Sequence, residues 1–307
     1  MTKKILITGA SGFIGSFLVE KALSKGYSVW AGIRASSSRE YLKDSRINFI
    51  DLNFSNKEKL IQQLIDFKLE FGKLDYVVHN AGLTKCLDPK DFDKVNFQYT
   101  VNFIDALKEA HAVPEKFVLM SSLSAFGVGD EINYTPIKLT DTPQPNTAYG
   151  VSKLKAEDYL RKTKDFPYMI MRPTGVYGPR EKDYFLMLKT VKSGLDVGAG
   201  FQPQHLTFIY VKDLVDAVYL ALESTLENKE YFVADGDVYT DKEYTALVKK
   251  TIGKKKVLGL KVPLSVLRII SIIAEDISKI TKKPSTLNRD KYKIMRQRNW
   301  ECDIEPL

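Results

Sequence analysis

The sequence predicts an α/β fold built on a doubly wound parallel sheet with helices on both faces. Two observations carry that prediction. Short apolar runs alternate with amphipathic stretches along most of the chain, the pattern of parallel strands joined by crossover helices. Gly9, Gly12 and Gly15 then stand between the first apolar run and the first amphipathic stretch. The 307 residues are 44% hydrophobic and 27% charged. That composition excludes disorder and suits one large or two interlocked domains.

The elements follow in order. Lys4–Thr8 is the first strand, with Ile5, Leu6 and Ile7 as its apolar centre. The first helix opens with Phe13, Phe17 and Leu18 and stops at Gly26, because glycine closes helices at little steric cost. Further strands are expected at residues 28–33, 47–51, 76–79, 117–121 and 169–172. Ser55 and Glu58 have capping-box spacing and open a helix running to about Phe67. Residues 91–111 and 149–163 read as longer helices, and 184–193 and 211–222 as shorter ones. Pro136, Pro143 and Pro145 mark a loop ahead of Tyr149. Thr240 and Glu243 form a second capping box, with a helix ending near Gly253. Leu264, Leu267, Ile270, Ala274 and Ile277 recur at helical spacing, widened by Ile269, Ile272, Ile273 and Ile280. Core or lid packing, an apolar substrate wall and a membrane-surface contact all fit that stripe.

Cys86 and Cys302 supply no disulfide framework and no paired-thiol motif, which suits a reducing, cytoplasmic setting. Only Ile5, Leu6 and Ile7 follow Lys3 and Lys4, so no signal peptide is expected. The stripe at 264–280 contains Arg268, Glu275, Asp276 and Lys279, so no integral membrane span is expected. The net charge is +8. Basic runs at Lys254–Lys255–Lys256 and Lys282–Lys283 sit beside helix ends and read as solvated surface, with a phosphate-bearing small ligand as the next reading; no nucleic-acid-reading module is present. His79, His111 and His205 lack ligand spacing, so no metal site is expected. His79 reads as a hydrogen-bonded structural residue. Lys85 and Arg180 read as surface residues or ligands for a substrate anion, and Arg172 as structurally paired.

The glycines have the spacing G-x-x-G-x-x-G after a strand and at the head of a helix. Gly9 permits a tight turn, Gly12 lets a pyrophosphate approach the backbone, and Gly15 lets helix and strand pack closely. Ser11, Phe13 and Ile14 complete the cradle, and the helix N-terminus offers unpaired N–H groups to phosphates. This is the signature of a dinucleotide site in a Rossmann-type sheet. An acidic residue closing the second strand would hold the ribose hydroxyls of NAD. Here Arg34 stands there, followed by three serines and Arg39. A guanidinium suits a 2′-phosphate, so NADP(H) is preferred and NAD(H) remains open, with Arg34 then a surface residue. Asp51 and Leu52 would border the adenine. Residues 1–173 would form the nucleotide domain, with 204–225 returning to it. Residues 174–203 and 226–307 would form a smaller, interleaved substrate-binding part.

Tyr149 and Lys153 lie four apart on a predicted helix and share one face. The ammonium is expected to lower the phenol's pKa and make the pair a proton donor and acceptor for carbonyl/alcohol exchange. Ser121 and Ser122 end the fifth strand, at the edge where open sheets bind ligands. A serine hydroxyl there can hydrogen-bond a substrate oxygen.

Together with residues 8–15, His79-Asn80-Ala81-Gly82, SSLSAFG at 121–127, RPTGVYGP at 172–179 and residues 208–213, these features resemble the extended short-chain dehydrogenase/reductase superfamily, the NAD-dependent epimerase/dehydratase family. The resemblance spans roughly residues 3–225, in the family's order. It implies Tyr149 as general acid/base and Lys153 as ligand of the nicotinamide ribose. Ser122 would orient the substrate oxygen, with Ser124 as the alternative. Asn80, Ala81, Gly82 and Pro173 would line the cofactor, with Thr84 and Thr174 nearby. A homodimer through the helices at 91–111 and 149–163 is common in the family. Residues 300–304 resemble the lead-in to the family's last helix.

Leu123 and Ser124 stand where the family's dehydratases carry Asp-Glu, so the acid for water elimination is missing. Gly175 stands where many nucleotide-sugar epimerases carry Asn. The second-strand segment looks like the dihydroflavonol-reductase and 3β-hydroxysteroid-dehydrogenase-like members. The preferred reading is an NADP(H)-dependent oxidoreductase acting on a small-molecule alcohol or carbonyl. A nucleotide-sugar epimerase with tightly held cofactor, and a non-catalytic cofactor sensor, are the alternatives.

Overall fold

The computed structural model describes residues 2–282, 285 and 287–307; Lys283 of the second basic run lies outside the described residues. In chain order the elements are β1 (Lys4–Thr8), α1 (Phe13–Ser24), β2 (Ser28–Gly32), β3 (Ile47–Ile50), α2 (Lys57–Phe71), β4 (Tyr76–His79), α3 (Lys90–Phe92), α4 (Tyr99–Glu109), β5 (Lys116–Met120), α5 (Ala148–Lys162), β6 (Tyr168–Pro173), β7 (Gly175–Tyr177) and α6 (Asp183–Ser193). They continue with β8 (Leu195–Ala199), β9 (His205–Leu206), β10 (Phe208–Tyr210), α7 (Val211–Glu223), β11 (Lys229–Val233), β12 (Tyr239–Thr240), α8 (Asp241–Thr251), β13 (Leu258–Val262), α9 (Leu264–Thr281) and α10 (Arg289–Arg296).

Seven parallel strands form the central sheet in the order β11-β6-β5-β4-β1-β2-β3. This is the Rossmann-type α/β arrangement. The chain reverses its direction of winding between β1 and β4, and the carboxyl ends of strands at such a switch point leave a ligand crevice. One face is covered by α1 and α7, whose Leu18, Val19, Leu214 and Val218 are fully buried. The other is covered by α2, α4 and α5 through Leu60, Ile104, Leu107 and Leu160. Each such side chain stabilises the fold by about 1.5–3 kcal/mol through removal from water.

Several elements depart from the sequence reading, each for a local reason. Asn56, not Ser55, caps α2: Asn56 has extended backbone and accepts the Lys59 N–H, while the Ser55 hydroxyl is spent on Asn53. The helix then runs four residues beyond Phe67 to Phe71, and Gly72 closes it at a φ of +79°. The long helix expected at 91–111 is interrupted by a π-helical segment, Asp93–Gln98, between α3 and α4. Thr240 and Glu243 form the full reciprocal capping box at the head of α8. The seventh strand, β11, was not anticipated and falls within 226–307, yet it pairs with β6 in the central sheet. Its Lys229 and Glu230 hide it from a pattern search, because Glu230 is held by Arg161 and Arg172.

Candidate active site

The glycine loop is shaped by contacts that no larger residue allows. Gly9 has φ +65°, and a Cβ there would lie 2.8 Å from the Asn80 carbonyl oxygen. A Cβ on Gly15 would lie 2.1 Å from the Gly9 carbonyl oxygen, so strand and helix approach closely only as glycines. Gly12 is exposed and precedes α1 with no side-chain cap and no acid in the first turn. The helix therefore turns unpaired N–H groups and a partial positive charge outward, as a pyrophosphate requires. Ser11 is half-buried beside Gly12, while the Phe13 and Ile14 side chains pack on the core and leave only their backbone to the loop.

A relay of hydrogen bonds fixes the neighbouring segment Asn80-Ala81-Gly82. The Ala81 N–H donates to Thr8 Oγ1 at 3.0 Å, and Thr8 Oγ1 lies 2.9 Å from His79 Nδ1. On the far side His79 Nε2 lies 3.1 Å from Thr100 Oγ1, which itself donates to the Asn96 carbonyl. That direction makes Nε2 the donor and Nδ1 the acceptor, so the ring is neutral. Burial, and secondarily the Lys153 charge, push its pKa down to about 3. His79 is thus a structural residue. Asn96 clamps the same segment by accepting from the Leu83 N–H and donating to the Leu83 carbonyl and Ser152 Oγ. A Cβ on Gly82 would sit 3.0 Å from Asn96 Oδ1 and 3.4 Å from Lys153 Nζ.

Tyr149 lies in the first turn of α5, whose N-cap Thr147 accepts the Gly150 N–H at 2.9 Å. Lys153 is buried one turn on, with Nζ donating to the Met120 carbonyl at 2.7 Å and 6.0 Å from the Tyr149 ring centre. Ser122 follows β5 and favours the charged form of Tyr149. The phenol's pKa is nevertheless raised: burial outweighs the influence of Ser122. The expected lowering by Lys153 does not prevail, because burial disfavours the phenolate and is the larger effect. Burial lowers Lys153 itself to about 8 against the opposing charge of Glu157. Ser124 sits in the short turn beyond and donates its N–H to Ser122 Oγ.

Beneath these groups lies a buried network of charged side chains. Glu157, fully buried, accepts from Ser121 Oγ, from Arg161 and from Arg172 through two bonds of 2.9 Å. Arg172 also pairs with Glu230 and lies 4.8 Å from the Phe126 ring centre. Glu157 is four residues past Lys153, and that i, i+4 spacing to a lysine already singled out was the available signal. Asn96 had none, since only the fold brings it to Leu83.

The remaining sites fall around this centre. Arg34 is exposed, and among the described residues nothing pairs with its guanidinium. The Asp51 carboxylate accepts the Ala35 N–H at 2.8 Å and so holds the loop that carries Arg34. Leu52 packs in the core beside it. Arg39 stacks on Phe49 at 4.0 Å. Pro173 is buried at the end of β6, and Thr174 donates its N–H to Val233. Lys85 is paired with Asp183, and Arg180 with Glu20 and Ser16 while lying 4.2 Å from the Phe17 ring centre. Both cations are held in ion pairs. Cys302 is packed with Leu123, Phe126 and Phe232.

Comparison with known proteins fits this geometry. The sequence model of the NAD dependent epimerase/dehydratase family matches residues 5–234. A UDP-glucose 4-epimerase of Vibrio cholerae is 30% identical over 256 residues, covering 78% of this chain and 73% of its own. A decarboxylating sterol-4-alpha-carboxylate 3-dehydrogenase of Saccharomyces cerevisiae is 24% identical over 312 residues, covering 95% of this chain and 87% of its own. The crystal structure of a Thermotoga maritima UDP-glucose 4-epimerase with UDP-glucose shares the fold at a TM-score of 0.74 and 22% identity, over 99% of this chain and 90% of that one.

Proposed function

The chain belongs to the NAD-dependent epimerase/dehydratase family, and on that premise we propose that it interconverts an alcohol and a carbonyl on a small molecule, with Tyr149 as the proton donor and acceptor. Membership in a family of enzymes removes the non-catalytic sensor as a reading. The observation that carries the proposal is that α5 sets Tyr149 one turn from Lys153, whose Nζ is anchored on the Met120 carbonyl of β5, with Ser122 directly after β5, at the carboxyl edge of the sheet that bears the glycine cradle.

The cradle fits a dinucleotide, since Gly9 and Gly15 let the loop pack tightly against the end of β4 and the head of α1, while exposed Gly12 leaves the uncapped N-terminus of α1 open to phosphates. Gly9, Ser11, Gly12, Phe13, Ile14 and Gly15 would hold the phosphates. Asn80, Ala81, Gly82, Lys153 and Pro173 would lie toward the nicotinamide end. When bound, the nicotinamide supplies or accepts the hydride. Tyr149, its pKa raised by burial, carries its proton at neutral pH and gives it to a carbonyl oxygen held by Ser122. Lys153, at about 8, is charged at neutral pH and favours the phenolate left behind. Residues 174–203 and 226–307, apart from β11, would hold the substrate.

The unpaired Arg34 guanidinium and the engagement of Asp51 with Ala35 support NADP(H) over NAD(H). The nucleotide-sugar epimerase remains the second reading, favoured by the 30% identity to the Vibrio enzyme. Absorbance of the reduced nicotinamide separates the two. A reductase consumes it with a carbonyl panel, whereas an epimerase converts UDP-glucose with no net change. Tyr149→Phe should lose about a hundredfold to ten-thousandfold in turnover while keeping cofactor affinity; unchanged rates would remove the acid/base role. Arg34→Ala should weaken NADPH at least about tenfold more than NADH, and equal losses would overturn the cofactor preference.

A further inference from the structure

Helix α9 buries one narrow side of itself and leaves its broad apolar arc uncovered. Leu267, Ser271 and Ser278 are buried, and the helix packs on α10. Val266, Ile269, Ile270, Ile273, Ile277 and Ile280 instead stand between 43% and 82% exposed. At about 100° per residue these six fall within an arc of roughly 100°. Arg268, Glu275 and Lys279 lie on the roughly opposite side of the helix, with Lys279 bridged to Glu275 and Asp276. Six β-branched side chains in one unbroken water-facing arc are costly to leave wet.

The charge of the segment that carries the arc narrows what could cover it. Residues 241–282 hold ten Lys and Arg against four Asp and Glu, a net +6 of the chain's +8. Lys254, Lys255 and Lys256 take part in no ion pair among the described residues. The lysine run leads into exposed Leu258 and Leu260 of β13 and then directly into α9. A second copy laid on this face would set +6 against +6, and a polynucleotide would leave the isoleucines in water. An anionic bilayer surface offers both an apolar layer and the opposite charge.

We propose that α9 seats this part of the molecule on an anionic lipid surface, lying in the interface plane with its isoleucine arc toward the acyl chains. No helix among the described residues is long and apolar enough to cross a membrane, so the attachment is peripheral. The proposal does not depend on the reaction assigned above.

The test sediments the full chain with vesicles of phosphatidylcholine alone and of phosphatidylcholine mixed with phosphatidylglycerol. The protein should pellet with the anionic vesicles and at least about tenfold less with the neutral ones, and added salt should weaken the association. The double variant Ile273→Glu, Ile277→Glu should lose at least about tenfold in partitioning. Both positions are exposed, so its thermal midpoint should match the wild type. Reversing Lys254, Lys255 and Lys256 to Glu should remove the preference for phosphatidylglycerol. Wild-type protein left in the supernatant with anionic vesicles would overturn the proposal, as would pelleting of the double variant like the wild type. Failure to bind vesicles, with a dimer that the double variant converts to monomer in sedimentation velocity, would assign the arc to a second copy and also overturn it.

Discussion

In the central sheet every residue of β4, β5 and β6 is buried, whereas β13 leaves Leu258 and Leu260 in water and α9 leaves a whole face there. The two regions use the same residue types. They differ in how many layers cover them: the sheet is packed from both sides by α1 and α7 and by α2, α4 and α5, while β8 and β13 form a two-stranded ribbon. The chemistry-bearing side chains hang from the doubly covered region. Ser122 follows β5, Lys153 is anchored on the Met120 carbonyl of β5, and Tyr149 rides on α5. The difference teaches that rigidity is concentrated under the reacting groups, and that the thinly covered region can change its surface without moving them.

The sharpest way to break that contrast is to delete one apolar side chain in each region. Leu107→Ala, in α4 and fully buried, should cost about 2–5 kcal/mol in denaturant unfolding. Ile277→Ala, in the exposed arc of α9, should change stability by about 0.5 kcal/mol or less. Comparable losses would mean that α9 is as well buried as α4 and that the two regions do not differ.

The contrast also explains what could be read without coordinates. The glycine cradle, the Tyr149–Lys153 spacing and the strand-end serines are local, so their residue types and separations expose them. Asn96, Glu157 and β11 matter only through partners far along the chain, as when Glu157 meets Arg172 and Glu230 meets Arg161. The cap of α2 was misread by one residue because Ser55 and Asn56 are both competent caps, and the extended backbone at Asn56 decides between them. The direction of the Tyr149 shift was misread because spacing reveals a neighbouring charge but not burial, and burial is the larger effect here.

A smaller effect comes from Lys153 itself. Its pKa falls from 10.5 in the unfolded chain to about 8 in the folded protein. The unfolded state therefore binds more protons between those values, so this group's contribution to stability rises with pH there. Below pH 8 the burial cost is present in full. Lys153→Met removes that cost but also the hydrogen bond to Met120. The variant should be more stable than wild type at pH 7, on the order of 2 kcal/mol, and inactive. The gap should close between pH 8 and 10.5, followed by chemical unfolding at each pH. A gap that widens with pH would mean that the folded protein holds the ammonium more strongly than water does.

The smallest effect separates position from stability. Thr147 and Thr240 cap α5 and α8 by the same device, a hydroxyl accepting an N–H in the first turn. Thr147 is buried, and two residues on stands Tyr149; Thr240 is half-buried, in a reciprocal box with Glu243. Either threonine to alanine should cost about 1 kcal/mol of stability. The stability losses should therefore be alike, but the kinetics should not. Loosening the first turn of α5 moves the phenol relative to Ser122, so Thr147→Ala should lower kcat several-fold with little change in cofactor affinity. Thr240→Ala should leave kcat as it is, because α8 carries none of the groups around Tyr149. Equal kcat for both variants would mean that Lys153 and Ser122 hold Tyr149 in place without help from its own helix end.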